Sequence, residues 1–293
     1  MLDFTDHVVI VTGAGRGIGR AYARLLADRG AAVVVNDLGG DTDGHHASGG
    51  PAASVVAEIE AAGGTAVASA DSVADPEGAA AIVATAVARF GRVDAVINNA
   101  GIYRLGRFED LALEVFQDFI DVHYTGSLLV SRAAWPHLTA SGHGRIVNTV
   151  SAAMTGQPDM AHYGAAKGAI YGLTRNLAIA GAPHGVKVNA VAPGAGTRML
   201  RLAAPALPPG TVEFMDEHMP PEMVAPMGAY LAHADCAVTG EVFNAAGGHV
   251  SRMVVVNTPG IHDPKLTPEI VAERIDEITA LDDAQPAELP LPA

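Results

Sequence analysis

A single cysteine, Cys236, stands in the 293-residue chain. An intrachain disulfide is therefore excluded, nothing calls for an oxidising compartment, and the thiol is read as a buried structural residue. Aromatic residues make up only 5% of the sequence. An interior this poor in large rings and this rich in Gly, Ala and Val suits a parallel sheet under closely packed helices rather than a β-sandwich. Basic residues are scarce too: 18 Lys and Arg against 32 Asp and Glu give a formal charge of −14. Nucleic-acid phosphates demand clustered cations, so broad nucleic-acid binding is excluded and any anionic ligand has to be held locally. No uninterrupted apolar run reaches membrane-spanning length, and the first residues lack a basic stretch leading into an apolar signal core. A soluble, cytoplasmic protein with no membrane partner is expected. The histidines are dispersed, and His45-His46 lies in a Gly/Asp-rich loop without partners at ligand spacing, so no metal site is expected.

What the chain does have is alternation. Short apolar runs at 8–11, 32–35, 66–69, 95–98, 145–150 and 187–192 are separated by stretches of helical periodicity. The helices are expected at 21–27, 52–62, 77–90, 113–138 and 163–182. Repeated β-α units of this kind predict an α/β fold: a single-domain, doubly wound Rossmann fold with a parallel sheet and with ligands at the carboxyl ends of its strands. No second composition regime begins before about residue 250. Residues 1–250 are read as one catalytic domain, with a Pro- and Met-rich flap at about 197–226. Residues 251–293 are read as a C-terminal extension, helical at about 267–281 because Thr267-Pro268-Glu269 resembles an N-cap followed by Pro. The last ten residues are Pro/Ala-rich and expected to be disordered.

Between the first run and the first helix stands Thr12-Gly13-Ala14-Gly15-Arg16-Gly17-Ile18-Gly19. Glycines there let the backbone approach a pyrophosphate, and a helix N-terminus supplies free N–H groups. Gly13, Arg16, Gly17, Ile18 and Gly19 are accordingly candidate cofactor contacts. Asp37 ends the second strand, 18 residues after Gly19. A carboxylate there accepts hydrogen bonds from an adenosine ribose and repels a 2′-phosphate, so NAD is expected over NADP. Arg16 pulls the other way, since a basic side chain in the loop is able to hold that phosphate. Tyr163 and Lys167 lie four positions apart on a helix and share one face. Beside an ammonium and a positive nicotinamide a phenolate is favoured, so the Tyr163 pKa is expected to fall and to make the side chain an acid/base near neutrality. Ser151 ends the strand twelve residues before Tyr163, where its hydroxyl is able to hold a substrate oxygen. It is preferred for that role over Thr149, two positions back.

In this order and context the motifs resemble the short-chain dehydrogenase/reductase family, over about residues 6–250. The resemblance implies that Asp71 and Ser72, after the third strand, contact the adenine. It also implies that Asn98-Asn99-Ala100-Gly101 lies beside the cofactor, which assigns Asn99, Ala100 and Gly101 there and leaves Asn98 either there or inside the sheet. Pro193-Gly194 matches the segment that meets the nicotinamide carboxamide, with Thr197 as donor. Ser151, Tyr163 and Lys167 are then catalytic, with Tyr163 and Lys167 also against the cofactor. The family carries an Asn where this chain has His123, a position that holds a water linked to the Lys largely through the backbone. His123 is read as a relay or structural replacement, with a direct acid/base role as the rival. The Ser-to-Tyr interval is one residue shorter than in many relatives.

Three stretches, 36–41, 131–135 and 192–199, resemble the (3R)-hydroxyacyl-CoA dehydrogenase domain of type-2 multifunctional enzymes, also called 17β-hydroxysteroid dehydrogenase type 4. That implies a 3-hydroxyacyl-CoA or a steroid-type substrate. Arg104, Arg107, Arg198 and Arg201 offer a local patch for an anionic CoA. A terpenoid or other hydrophobic secondary alcohol is the uncharged rival. A catalytically silent NAD sensor or scaffold, and an epimerase with tightly held NAD, are the readings of a different class. The apolar helices at 113–138 and 163–182 are expected to pair with a second copy, giving a homodimer or homotetramer.

Overall fold

The computed structural model describes residues 1–41, 48, 50–204 and 207–291. The expectation for His45-His46 falls outside them.

Eight strands form one sheet in the order β3-β2-β1-β4-β5-β6-β7-β8. They are β1 (Val8–Thr12), β2 (Ala32–Asn36), β3 (Thr65–Ser69), β4 (Ala95–Asn98), β5 (Arg145–Thr149), β6 (Lys187–Gly194), β7 (Val242–Ala246) and β8 (His249–Met253). The first seven run parallel, and β8 returns antiparallel to β7. The expected doubly wound parallel sheet is present, with an antiparallel strand added at one edge. Gly247 and Gly248, with φ of 54° and 79°, supply the two-residue loop that a hairpin needs and a helical crossover does not. The reversal in chain order lies at β1 and β4, and it opens a crevice at the carboxyl ends of those strands.

Two helix layers cover the sheet. On one face α1 (Gly17–Asp28), α2 (Gly50–Ala61) and α9 (Ala225–Ala232) bury Tyr22, Leu26, Val55, Ile59 and Leu231. On the other face α3 (Pro76–Phe90), α5 (Gly126–Ser141) and α6 (Ala161–Gly181) bury Ile82, Val83, Val130, Leu138 and Ala178. Asp75 caps α3, its carboxylate accepting from Gly78 N at 2.7 Å, and Gly91 closes it at φ 81°.

The helix expected across 113–138 is interrupted. It begins as α4 (Leu113–Phe119), widens into a π-helical segment at Ile120–Thr125 and resumes as α5. Hydrogen bonds of i→i+5 type accommodate one extra residue per turn and rotate the chain that follows. This turn carries His123 inward to 2% exposure.

The segment 197–226, expected to form a flap, contains two short helices, α7 (Arg198–Ala203) and α8 (Thr211–His218). In the extension, the helix expected at 267–281 is split at Arg274 into α10 (Pro268–Glu273) and α11 (Ile275–Thr279). Some of the last ten residues, expected to be disordered, carry backbone pairing. β10 (Gln285–Pro286) pairs antiparallel with β9 (Val256–Asn257). Ala287 bonds through N to Val255 O at 2.8 Å, and its carbonyl accepts from Arg175 Nη2 at 2.6 Å.

Candidate active site

The glycine turn is built by close approach. A Cβ on Gly13 would stand 2.8 Å from Ala100 Cα, and one on Gly19 would stand 2.2 Å from Gly13 O. Gly13 and Gly17 also adopt φ of 63° and 52°, which only glycine does without strain. β4 clamps this turn. Asn99 Nδ2 donates to Thr12 O at 3.0 Å and Gly13 O at 3.1 Å, and Thr12 Oγ1 accepts from Asn99 N and Ala100 N at 3.0 Å. Asp37 is fixed by backbone donors on both carboxylate oxygens, Gly15 N at 2.8 Å and Gly39 N at 2.7 Å. Arg16 reaches over the same loop to Gly40 O. Ser69 Oγ donates to Asp71 Oδ2 at 2.8 Å, and Ser72 Oγ accepts from Ala74 N at 3.1 Å.

Asn98 faces the other way. It is buried between β4, β5 and α5, and its Nδ2 donates to Ser131 Oγ and to Asn148 Oδ1 at 2.9 Å each. The choice left open for Asn98 thus resolves to the sheet interior. Asn148 Nδ2 in turn reaches Thr174 Oγ1 on α6 at 2.9 Å.

Two clefts open at the carboxyl edge. One, of about 130 Å3, is lined by Gly13, Asp37, Asp71, Ser72, Ala100 and Gly101. The other, of about 310 Å3, is lined by Gly17–Gly19, Asn99, Gly101, His123, Tyr163, Lys167, Pro193, Gly194 and Thr197. A larger cleft of about 570 Å3 between α1, α2 and α9 contains none of the motif residues. The chemistry therefore belongs to the smaller pair.

Tyr163 and Lys167 converge as their helical spacing requires, the ammonium 5.5 Å from the phenol ring centroid. Lys167 Nζ donates to Thr149 O at 2.7 Å, so Thr149 acts through its carbonyl. Ser151 caps a 3-10 turn at Ala152–Thr155, with Oγ accepting from Ala153 N at 3.2 Å, and its hydroxyl is near enough to the Tyr163 phenol to lower the phenol's pKa. Thr197 caps α7.

For Tyr163 the protein's own surroundings work against the phenolate. Burial pushes its pKa up to about 12, and the Ser151 hydrogen bond offsets only part of that. Burial also brings Lys167 down to about 7. The apolar wall that aligns the pair desolvates both charged forms, so the ammonium alone does not create the phenolate. His123 is held well below its ordinary pKa by burial and by Lys167. The imidazole is neutral: Nε2 lies 2.9 Å from Ile102 O, to which it donates, and Nδ1 is buried without a partner among the described residues.

Sequence reasoning missed Phe119, one of three rings around the phenol. Tyr103, Phe119 and His123 stand edge-on to Tyr163 at 5.9, 6.1 and 5.3 Å between centroids. Only the position of Tyr103, just past Asn-Asn-Ala-Gly, signals this. Gln157, Met199, Leu200, Leu207 and Met215 complete the wall of the larger of the two clefts. The expected arginine patch is dispersed: Arg107 pairs with Glu109 and Asp110, and Arg201 with Asp216.

A glycine-cradled crevice that leads to a hydroxyl, a phenol and a buried ammonium serves an oxidoreductase using a nicotinamide cofactor. The family described as short chain dehydrogenase matches residues 7–202, and the chain belongs to it. It is 44% identical to a short-chain type dehydrogenase/reductase of Mycobacterium tuberculosis, over 96% of each chain. It is 41% identical to peroxisomal multifunctional enzyme type 2 of Mus musculus, over 94% of this chain but 37% of that protein; the chain thus spans little more than a third of that relative. Among solved structures, a short chain dehydrogenase from Mycobacterium avium superposes with a TM-score of 0.82 at 40% identity, covering both chains in full. A 7α-hydroxysteroid dehydrogenase complexed with NADH and 7-oxo glycochenodeoxycholic acid superposes at 0.74 with 28% identity, covering 84% of this chain and 95% of the other. No helix among the described residues is long and apolar enough to cross a membrane, and no cluster of metal-ligating side chains occurs among them.

Proposed function

We propose that the protein is an NAD-dependent dehydrogenase that interconverts a secondary alcohol and a ketone, with a 3-hydroxyacyl-CoA or a steroid-type alcohol as substrate. The observation that carries the reading is the convergence of Tyr163 and Lys167 in one cleft with the glycine turn, with Ser151 just past the end of β5 beside the phenol. Asp37, with both oxygens already oriented by backbone N–H groups, would receive the adenosine ribose and disfavour a 2′-phosphate. Gly13, Gly17, Ile18 and Gly19 would hold the diphosphate, Asp71 and Ser72 the adenine, and Asn99 to Gly101, Pro193, Gly194 and Thr197 the nicotinamide half. The cofactor, when bound, supplies the hydride acceptor and a positive ring.

The chain's own residues handle the proton. Ser151 orients the substrate hydroxyl, and Tyr163, as the phenolate that Lys167 and the cofactor's positive ring would together favour, takes its proton as general base. His123 positions groups near Lys167 as a neutral imidazole. Reduction reverses these steps. Residues 1–250 are the catalytic unit, 251–293 an extension, and a homodimer or homotetramer is the expected assembly.

The ion pairing of Arg107 and Arg201 favours a second reading, an uncharged steroid or terpenoid alcohol, against the Met- and Leu-lined wall. Incubating the protein with NAD or NADP and a panel of 3-hydroxyacyl-CoA thioesters and steroid and terpenoid alcohols tests both. Formation of reduced nicotinamide with NAD is the expected result. Binding of NAD without turnover of any panel member would favour a silent sensor instead.

A further inference from the structure

The dinucleotide reading leaves one charged side chain of the crevice without a task. The two clefts share Gly101, Arg198 and Met199 in their walls. One contains the N-terminus of α1 and Tyr163; the other contains Asp37 and Asp71. A molecule that fills both has to pass where they meet, and of the three shared residues only Arg198 is charged. It is the first residue of α7 and follows Thr197, whose Cγ2 lies 3.6 Å from the place a Gly17 Cβ would take. The root of the flap therefore rests on the glycine turn.

Arg16 belongs to the same turn, and it is close enough to Arg198 to repel it, while Asp37 and Asp41 attract it. Among the described residues Arg198 makes no hydrogen bond. In a chain with 18 basic and 32 acidic residues, two repelling guanidinium groups beside one helix N-terminus mark the place of an anion.

We propose that Arg198 is a cofactor-binding residue that reaches from the flap to the diphosphate of the dinucleotide, at the waist between the two clefts. The inference rests on the dinucleotide reading above, and it withdraws Arg198 from the patch expected to hold CoA. A doubly charged group between Arg16 and Arg198 converts their repulsion into attraction for the ligand, and a guanidinium fork matches two phosphate oxygens.

The test is binding. NADH is titrated by its fluorescence, and ADP-ribose and adenosine by competition, into wild type, Arg198→Gln and Arg198→Lys, with thermal unfolding as the check on folding. Arg198→Gln should weaken NADH and ADP-ribose about tenfold or more, the loss of a charge-assisted contact. Adenosine, which has no phosphate, should change less than twofold, and Arg198→Lys should recover part of the loss. Unchanged NADH affinity in a folded Arg198→Gln protein, or an equal loss for adenosine, would overturn the assignment while leaving the dehydrogenase reading intact. An unchanged NADH affinity with a raised KM for an acyl-CoA would return Arg198 to the substrate. Wild-type protein that binds no dinucleotide would bring down both proposals.

Discussion

Lys167 carries the sharpest electrostatic conflict in the molecule, a 2%-exposed ammonium among apolar groups. Its ordinary pKa of 10.5 drops to about 7 in the fold. Between those values the unfolded chain keeps a proton that the folded chain has released, so folding stability should rise with pH from about 7 upward. Tyr163 opposes this only above its ordinary 10.0, where the folded phenol holds its proton up to about 12 and the unfolded one does not. Urea unfolding between pH 7 and 10 should therefore show increasing stability, by at most about 1.4 kcal/mol per pH unit from this group. Lys167→Met should flatten the slope; an unaltered slope would show that Lys167 does not titrate as its burial demands. Tyr163→Phe should abolish turnover and spare NAD affinity within a few-fold, since the phenolic oxygen is what meets the substrate; retained turnover would remove Tyr163 from the proton transfer. His123→Asn should keep much of the activity, because the neutral ring is placed to position rather than to carry a proton. Complete loss with NAD binding intact would make His123 an acid/base after all.

At the scale of elements, the Asn98 network ties β4 to β5 and α5, and Asn148 extends it to α6. Asn98→Ala would leave Asn148 Oδ1 and Ser131 Oγ without this buried donor. The expected cost is about 1–3 kcal/mol in denaturant unfolding, and a cost under 0.5 kcal/mol would mean that water replaces the amide. The same elements show what a sequence makes legible. The strands from β1 to β6 and the helices between them announce themselves through apolar runs and glycine turns, and so do Tyr163, Lys167 and Asp37, because each stands at a fixed offset from a strand end or on one helix face. The π-helical turn at Ile120–Thr125 does not, since residues 113–138 read equally well as one continuous amphipathic helix and a single inserted residue leaves no compositional mark. β7 and β8 were hidden for another reason: in β8, His249–Met253, none of the five residues is buried, so the edge hairpin is marked only by Gly247-Gly248. The depth of burial around Tyr163 was invisible as well, because Tyr103 and Phe119 arrive from separate elements and only the packed site shows that desolvation outweighs the neighbouring charge.

For the whole molecule, the C-terminal segment is the part whose behaviour follows least from composition and most from tertiary partners. Beyond the β9–β10 pairing and the Arg175 bond to Ala287, Leu289 enters the groove where a Cβ on Gly240 would meet its Cδ2 at 2.5 Å, with Ala178 of α6 alongside. The segment thus joins α6 to the edge of the sheet. Arg175 lies eight residues beyond Lys167 on α6, about 12 Å along the helix axis. Ending the chain after Ala284 should therefore loosen the fold without touching the crevice. Loss of a charge-assisted hydrogen bond and a partly buried Leu predicts a destabilisation of about 2–3 kcal/mol. At roughly 2–4 °C per kcal/mol for a chain of this size, Tm should fall by about 4–12 °C. NADH affinity should stay within twofold of the full-length protein. An unchanged Tm would show the segment to be detached in solution, whereas a matching loss of NADH affinity would show that the strap braces Tyr163 and Lys167 through α6.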